Sequence, residues 1–306
     1  MNPYPNGVWP VMLTPFKDDK SIDEKGLRAL TDWYISMGVD GLFASCQSSE
    51  IFHMNLEERV RIARITVEQA AGRVPVVASG HTDYPLGDQA RGIELMAATG
   101  VDAVILITNR LAGEQESDDT LLDNLSGLLS WIDESIRLGL YECPSPYKRL
   151  LSLRVISELL KTDRFYFLKD TCCDSAQIRE KLEVIKGSNL KLYNANATTA
   201  LQSLRDGAAG YSGVMANFHP ELYVWLTRNI SHPQADLVQD TLTMCSLIER
   251  QLYPVNAKYH LHAIEGLPMG ITCRNADSSR LTATFKEEVR QMDELCNEVK
   301  RLLGLQ

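Results

Sequence analysis

The chain has 306 residues, 44% of them hydrophobic and 23% charged, which is the composition of a globular protein that buries a sizeable core. Its formal net charge of −9 argues against electrostatic binding of nucleic acid or of an anionic membrane. No apolar run approaches the roughly 20 residues of a membrane-spanning helix, and the opening MNPYPNGVWP lacks the basic and apolar regions of a secretory signal.

Short apolar or β-branched runs alternate with amphipathic segments of helical period. The runs predict eight strands at 8–14, 41–46, 74–80, 102–108, 138–143, 165–171, 190–196 and 210–217. Strands that alternate with helices indicate βαβ units and a parallel sheet. Eight units in about 220 residues match the size of a (β/α)8 TIM barrel. A doubly wound Rossmann sheet is disfavoured because the chain has no G-x-G-x-x-G turn and no P-loop.

Strand-like runs stop after about residue 230, where helical periodicity takes over in LVQDTLTMCSLIERQL and TATFKEEVRQMDELCNEVKRLLG. We therefore predict a barrel over residues 1–230 and a helical C-terminal extension over 231–306. Barrel enzymes carry their chemistry at the carboxyl ends of the strands. The predicted strand ends fall at 45–50, 80–81, 108–110, 141–143, 169–171, 194–196 and 213–217.

Lys169 ends the sixth predicted strand, in FYFLKDT, although lysine is rarely buried unless it is paired or has a chemical role. Burial disfavours the ammonium form and lowers the pKa. A neutral amine can then attack a ketone and form a Schiff base, which acts as an electron sink. A structural ion pair with Asp170 or Glu142 is the alternative interpretation.

Two further strand ends offer groups that suit such chemistry. Tyr141 ends the fifth strand and could relay a proton to or from a carbinolamine, although tyrosine at a strand end also occurs in cores and rims. The run SCQSSE at 45–50 offers hydroxyls, an amide and backbone N–H groups that can hold a small carboxylate. Its alternative interpretation is a polar loop that caps the helix near Asn55.

The cysteines indicate a reducing, cytoplasmic environment, because seven is an odd number and no CxxC spacing occurs. Four of them fall near predicted strand ends: Cys46, Cys143, Cys172 and Cys173. Four thiols around one mouth could bind zinc. Their spacing matches no known ligand pattern, however, and free cysteine also packs as a small apolar residue. We predict no metal and no other cofactor.

Segments along essentially the whole chain resemble one protein family: GVWPVMLTPFKDD, GVDGLFASCQSSEIFHMNLEER, LYECP, FLKDT, AAGYSGVMANFHPEL and AKYHLHAIEGLPMG. This is the dihydrodipicolinate synthase / N-acetylneuraminate lyase family of Schiff-base aldolases and lyases. The resemblance implies a (β/α)8 barrel with a helical C-terminal part and a homo-oligomer, either a tetramer or a dimer. It implies that Lys169 forms an imine with pyruvate or another 2-oxo acid and that Tyr141 moves protons there. It also implies four substrate-binding residues: Gln47, Ser48, Thr171 and Gly213.

The chain departs from the family at several positions, although the pyruvate half of the site is largely kept. Gln47 replaces a hydroxyl residue, and an amide cannot pass on a proton as a hydroxyl does. TNRLAGE after the fourth strand contains no tyrosine, where the family often has one that reaches the neighbouring subunit. The arginine of the synthases after strand 5 is absent from 145–147, and the acidic residues of the sialate lyases are absent from 196–198.

These departures argue against dihydrodipicolinate synthase and sialate lyase activity. We predict a class I aldolase or lyase that acts on pyruvate or a related 2-oxo acid. A 2-keto-3-deoxy sugar acid dehydratase would use the same imine, and the sequence does not separate the two. The altered proton relay also leaves open a non-catalytic paralogue that binds a 2-oxo acid, since a fold does not guarantee a function.

Overall fold

The structure is a computed structural model and describes residues 4–305. Its eight strands are β1 Gly7–Val8, β2 Leu42–Phe43, β3 Val76–Ala78, β4 Ala103–Ile107, β5 Leu138–Tyr141, β6 Phe165–Asp170, β7 Lys191–Asn194 and β8 Gly210–Tyr211. Each strand overlaps its predicted run, so the prediction of eight strands is confirmed. The hydrogen-bonded strands are shorter than the apolar runs that predicted them, most of all at β1, β2 and β8.

All neighbouring strands are parallel, in the order β1-β8-β7-β6-β5-β4-β3-β2. A parallel bridge between Val11 and Phe43 joins the two edges of this sheet. The backbone N–H of Met12 also donates to the carbonyl of Phe43 at 3.0 Å. The sheet therefore curls into the predicted barrel, which brings the carboxyl ends of all the strands to one mouth.

Helices follow the strands along the chain. They are α1 Glu24–Ser36, α2 Leu56–Ala70, α3 Leu86–Ala97, α4 Thr108–Leu111, α5 Asp118–Leu129, α6 Leu153–Leu160, α7 Ser175–Ile185, α8 Ala200–Arg205, α9 Pro220–Arg228, α10 Ala235–Cys245, α11 Val255–Tyr259 and α12 Ala283–Leu303. Local capping explains several starts: Asn55 and Glu58 form a reciprocal capping box at α2. Within residues 4–305, no helix is both long enough and apolar enough to cross a membrane.

Buried aromatic side chains of β2, β6 and β7 and of the residue after β1 pack together. The ring of Phe167 stacks on Tyr193 at 4.3 Å and meets the edge of Trp9 at 5.2 Å. Phe43 lies 6.2 Å from Phe167 and contacts Tyr141 on its other side at 6.0 Å. These rings reach Tyr141 at the carboxyl end of β5, so they pack against the part of a barrel where a site is expected.

Candidate active site

A cavity of about 470 Å³ opens at the carboxyl ends of the strands. All six residues that the sequence singled out line it: Gln47, Ser48, Tyr141, Lys169, Thr171 and Gly213. They come from β5, β6 and the segments that follow β2, β6 and β8. Barrel closure alone brings them together, because they are far apart in the chain. Their chemical roles remain predictions.

Lys169 projects from β6 into the barrel and is only 4% exposed. Its Nζ atom lies 4.1 Å from the centre of the Tyr141 ring and 5.8 Å from that of Phe43. Among residues 4–305, no carboxylate oxygen approaches this Nζ within 4.0 Å. Burial lowers the pKa of Lys169 from 10.5 to about 8, against a smaller opposing effect of the thiols of Cys46 and Cys143. About one molecule in ten therefore carries a neutral amine at pH 7, compared with about one in a few thousand for an exposed lysine.

The two carboxylates next to this site bind a different lysine. Lys181 Nζ on α7 contacts Glu142 Oε1 at 2.6 Å and Asp170 Oδ2 at 2.5 Å, and all three side chains are buried. Burial lowers the pKa of Lys181, but the two carboxylates outweigh it, and the net pKa is raised. The alternative interpretation of Lys169 as the partner of Asp170 or Glu142 is therefore wrong.

The Lys181 cluster also fixes the strand ends that carry the site. Successive side chains of a strand point to opposite faces. Glu142 and Asp170 therefore face α7 outside the barrel, while Tyr141 and Lys169 face inward. Glu142 accepts hydrogen bonds from the backbone N–H of Thr171 at 3.0 Å and of Leu151 at 2.8 Å. The ion pairs and these backbone contacts hold the ends of β5 and β6 at a fixed separation.

The Tyr141 hydroxyl donates to Gln47 Oε1 at 3.1 Å, and the Cys143 thiol points at the same oxygen at 3.6 Å. Burial raises the pKa of Tyr141 well above 10, so the phenol is protonated at neutral pH. Because the acceptor is an amide oxygen, the proton of Tyr141 cannot travel further through Gln47. The consequence for a proton relay stays a prediction.

The loop after β2 forms a short 3-10 helix, Gln47–Ser49. Hydrogen bonds from neighbouring residues fix its shape. The Ser49 hydroxyl donates to the carbonyl of Met12 at 2.6 Å, and Glu50 takes a left-handed conformation at φ 65°. Glu50 accepts from Lys258 Nζ at 2.7 Å and from the backbone N–H of Asn275 at 2.9 Å. The loop and the C-terminal segment are thereby tied together beside the cavity.

Gly213 and Thr171 are the last two of the six predicted site residues. Steric contacts explain the glycine, and a hydrogen bond limits what the threonine hydroxyl can do. A Cβ atom at Gly213 would lie 2.2 Å from the Tyr211 hydroxyl and 2.4 Å from the carbonyl of Ala195, so only glycine fits there. The Thr171 hydroxyl donates to the carbonyl of Glu142 at 2.6 Å. Since this bond uses the hydroxyl proton, Thr171 can meet a substrate as an acceptor rather than as a donor.

Sequence reasoning missed one wall of the cavity. Five lining residues come from the segment after residue 231: Glu249, Arg250, Tyr253, Pro254 and Asn275. This segment was predicted only as a helical extension packed on the barrel. The available signal was the pair Tyr253-Pro254, because proline interrupts a helix and the chain turns there between α10 and α11.

Other candidate residues lie outside the cavity. Lys148 and Arg149 lie between β5 and α6. Lys148 Nζ donates to the carbonyl of Thr171 at 2.8 Å, and the Arg149 guanidinium donates to backbone carbonyls, including that of Gly113 at 2.8 Å. His81 is buried, with its Nδ1 atom accepting from the backbone N–H of Ile107 at 2.9 Å, and burial lowers its pKa to about 4.

The thiols near the strand ends do not assemble into a ligand cluster in the part of the chain that the structure describes. The one group of three potential metal ligands found there is His260, Glu265 and Asp293, which lies outside the cavity lining. His260, just after α11, lies with its Nε2 atom 3.2 Å from Oδ1 of Asp293 on α12, and the two side chains hydrogen-bond to each other.

The fold and this cavity define a (β/α)8 barrel with a buried lysine at the carboxyl ends of its strands, and no carboxylate among residues 4–305 pairs with that lysine. The model of the Dihydrodipicolinate synthetase family matches residues 4–292, and the chain belongs to this family. The 4-hydroxy-tetrahydrodipicolinate synthase of Anaplasma marginale (strain St. Maries) is 26% identical over 260 residues, which cover 84% of each chain. The family includes dehydratases as well: a probable 5-dehydro-4-deoxyglucarate dehydratase of Streptomyces avermitilis is 28% identical over 222 residues, 71% of this chain and 63% of that protein.

Solved structures of the family share the fold at lower identity. A prophage protein of E. coli K12, solved in complex with pyruvate, superposes with a TM-score of 0.82 at 22% sequence identity. The match covers 96% of this chain and 98% of that one. At this identity the likeness establishes the barrel and its C-terminal helices, and the chemistry has to be argued from the residues of this chain.

Proposed function

We propose that this protein is a class I aldolase or lyase in which Lys169 forms a Schiff base with pyruvate or a related 2-oxo acid. The observation that carries the proposal is the environment of the Lys169 amine. It is buried, faces the cavity beside Tyr141 and has no carboxylate within 4.0 Å among the described residues. The lowered pKa of Lys169, about 8, supplies the neutral amine that attack on a ketone requires.

The remaining residues suit the steps around that amine. The nitrogen attacks the keto carbon, and the hydroxyl of the resulting carbinolamine leaves as water when a proton is supplied. In the cleavage direction the C4 hydroxyl of the substrate gives its proton to water, the C3–C4 bond breaks, its electron pair moves to the iminium to form an enamine, and the C4 fragment leaves as an aldehyde. Tyr141 lies against the amine, where a phenol can donate to the carbinolamine oxygen.

The loop at Gln47 and Ser48 suits the carboxylate of the 2-oxo acid. The side-chain oxygen of Gln47 is occupied by the Tyr141 hydroxyl, so the Gln47 amide N–H groups remain to donate. Ser48 adds a hydroxyl, and the backbone of Gly213 faces the cavity from the other side. This arrangement supports a bound 2-oxo acid whose keto carbon is presented to Lys169.

The residues that the two best-known activities implied by the resemblance require are missing from their expected positions, although Glu249 and Arg250 line the cavity from the C-terminal segment. No arginine comes from 145–147, and Arg149 is held by backbone carbonyls away from the cavity. Residues 196–198 contain no acidic side chain, and Asn196 Oδ1 accepts hydrogen bonds from Thr199 within its own turn. We therefore propose a partner aldehyde other than those of dihydrodipicolinate synthase and sialate lyase.

Dehydration of a 2-keto-3-deoxy sugar acid is a second candidate, favoured by the similarity to the Streptomyces avermitilis dehydratase. It would use the same imine on Lys169 but expel water from the substrate instead of breaking a C–C bond. Product analysis separates the two: an aldolase or lyase releases pyruvate and an aldehyde, whereas a dehydratase leaves one dehydrated keto acid.

We also propose that the protein is cytoplasmic and forms a homo-oligomer. All seven cysteines are free thiols, which suits the reducing cytoplasm. A homo-oligomer is proposed from family resemblance, and the absence of a tyrosine after β4 removes one reason for subunits to share a site. The oligomeric state can be measured by analytical ultracentrifugation.

Reductive trapping tests the proposed chemistry. The purified protein is incubated with pyruvate and sodium borohydride, then analysed by intact-mass and peptide mass spectrometry, with Lys169→Ala as the control. We expect a reduced adduct on Lys169. Lys181 and Lys258 are internal controls, since both are buried but paired with carboxylates. The absence of an adduct with pyruvate and with a panel of other 2-oxo acids, in a folded protein, would favour the non-catalytic paralogue.

A further inference from the structure

Two buried thiols contact each other outside the cavity, where α10 ends. The Sγ atom of Cys245, the last residue of α10, lies 3.8 Å from the Sγ atom of Cys296 within α12. The two residues are 5% and 1% exposed. The other five thiols contact oxygen atoms, and none of them hydrogen-bonds to a second thiol in the part of the chain that the structure describes. Cys245 and Cys296 are therefore the thiols placed for joint chemistry.

The two thiols differ in their access from solvent. A groove of about 310 Å³ is lined by side chains from both α10 and α12, and Cys245 is among them, whereas Cys296 is not. The Sγ atom of Cys296 instead lies 3.4 Å from Nδ1 of His219, which is itself buried. A small solute in the groove therefore reaches Cys245 before it reaches Cys296.

The contact also makes the two thiols unequal as acids. The hydrogen bond from Cys296 lowers the pKa of Cys245, against the opposing effect of burial. The same contact, together with burial, raises the pKa of Cys296. Because the thiolate is the form that attacks an oxidant, the thiol that borders the groove is the one that reacts more readily. Cys296 keeps its proton until a second step.

We propose that Cys245 and Cys296 form an oxidation site for hydroperoxides, in which Cys245 is oxidised first and Cys296 then closes a reversible disulfide between α10 and α12. An S–S bond is about 2.05 Å long, so the sulfurs approach by about 1.8 Å as it forms. Cys245 directly precedes the 3-10 turn Ser246–Arg250, and the last two residues of that turn line the cavity. The disulfide therefore locks this wall of the cavity to α12.

The atoms and electrons balance with one hydroperoxide as the oxidant. The Cys245 thiolate attacks one oxygen of hydrogen peroxide, the O–O bond breaks, and the departing hydroxide takes up the proton that Cys245 released. Cys245 is then a sulfenic acid. The Cys296 sulfur attacks the Cys245 sulfur, the S–O bond breaks, and the departing hydroxyl leaves as a second water with the Cys296 proton. The two sulfurs lose two electrons and the peroxide gains them, and an added thiol reverses the disulfide by exchange.

Peptide mapping after peroxide treatment tests the oxidation site. The reduced protein is treated with a few equivalents of hydrogen peroxide, unfolded in the presence of N-ethylmaleimide and digested without reductant. We expect a linked peptide that joins Cys245 to Cys296 and disappears after treatment with dithiothreitol. Cys273→Ser is the matched control, because Cys273 is also buried but contacts no second thiol. This variant should form the same link as wild type.

Two further variants test the order of the steps. Dimedone, which labels sulfenic acids, is added as the oxidised protein is unfolded. Cys296→Ser lacks the second thiol, so we expect a dimedone adduct on Cys245. Cys245→Ser leaves Cys296 buried and away from the groove, so we expect no adduct on Cys296. The reverse pattern would overturn the assignment of Cys245 as the thiol that is oxidised first.

Hydrogen–deuterium exchange tests the lock on the cavity wall. The backbone amides of residues 246–254 should exchange more slowly in the linked protein than in the reduced protein, by about fivefold or more, because the cross-link opposes local opening. Peroxide should leave their exchange in Cys296→Ser unchanged. Linked protein with unchanged exchange would overturn the lock.

The oxidation site itself is overturned if folded wild type carries N-ethylmaleimide on both Cys245 and Cys296 after peroxide, or if the link joins other cysteines. Neither readout uses pyruvate or turnover. A missing pyruvate adduct on Lys169 therefore counts against the Schiff-base function alone, and a missing disulfide counts against the oxidation site alone.

Discussion

Two buried lysines on opposite sides of β6 have opposite electrostatic surroundings. Lys169 is 4% exposed inside the barrel, and Lys181 is 2% exposed on α7 outside it. Lys181 has two carboxylates within 2.6 Å and a raised pKa, whereas Lys169 has none within 4.0 Å among the described residues and a lowered pKa. Burial alone therefore does not distinguish a structural lysine from a reactive one. The presence or absence of a compensating carboxylate does.

Among the substitutions that test the difference between Lys169 and Lys181, Lys169→Met is expected to have the largest effect. It removes the amine, so adduct formation and turnover should fall to background. The same substitution should stabilise the fold at pH 7. The lowering of the Lys169 pKa from 10.5 to about 8 corresponds to a free-energy penalty of up to about 3 kcal/mol for the buried ammonium, and the substitution removes it. Chemical denaturation and reductive trapping on one preparation measure both.

The way in which this stabilisation changes with pH can also be predicted. The pKa of Lys169 is lowered in the folded protein, so the penalty is complete below about pH 8 and disappears as the pH rises toward 10.5. The advantage of Lys169→Met over wild type should shrink across that window. An advantage that stays constant from pH 7 to 10 would contradict the assignment of the low pKa to Lys169.

The next largest effect is expected for Lys181→Met. This substitution leaves Glu142 and Asp170 buried without their cation, which should lower the free energy of unfolding by about 3–5 kcal/mol. Lys186→Met on the exposed end of the same helical region is the control and should change it by less than about 0.5 kcal/mol. Equal stabilities of Lys181→Met and wild type would mean that the cluster does not hold β5 and β6.

A smaller effect is expected for Gln47→Leu. It removes the amide N–H groups proposed to hold the carboxylate of the 2-oxo acid, and it frees the Tyr141 hydroxyl. We expect about a tenfold higher pyruvate concentration for half-maximal trapping, from the loss of a hydrogen bond to a charged group. An unchanged concentration dependence would remove Gln47 from the proposed binding site, with Ser48→Ala then the variant to compare.

The barrel and the reactive strand ends were predictable because they follow from local patterns. Strand periodicity located the eight strands, and Lys169 was singled out as a lysine at the end of an apolar strand, where it needs a partner or a chemical role. The pairing of Lys181 was not predictable, because α7 meets Glu142 only through tertiary packing. Tyr253 was missed for the same reason: the chain returns to the barrel mouth after α10, and no local pattern specifies that approach.

The pH dependence of reductive trapping tests the central claim most directly, namely that Lys169 reacts because it is buried without a carboxylate partner. The rate of adduct formation with pyruvate is measured from pH 6 to 10, and peptide mass spectrometry locates the adduct. We expect the modification on Lys169, with a rate that rises about tenfold per pH unit and levels off near pH 8. A rate still rising above pH 10, or an adduct on Lys181 or Lys258 instead, would contradict the account.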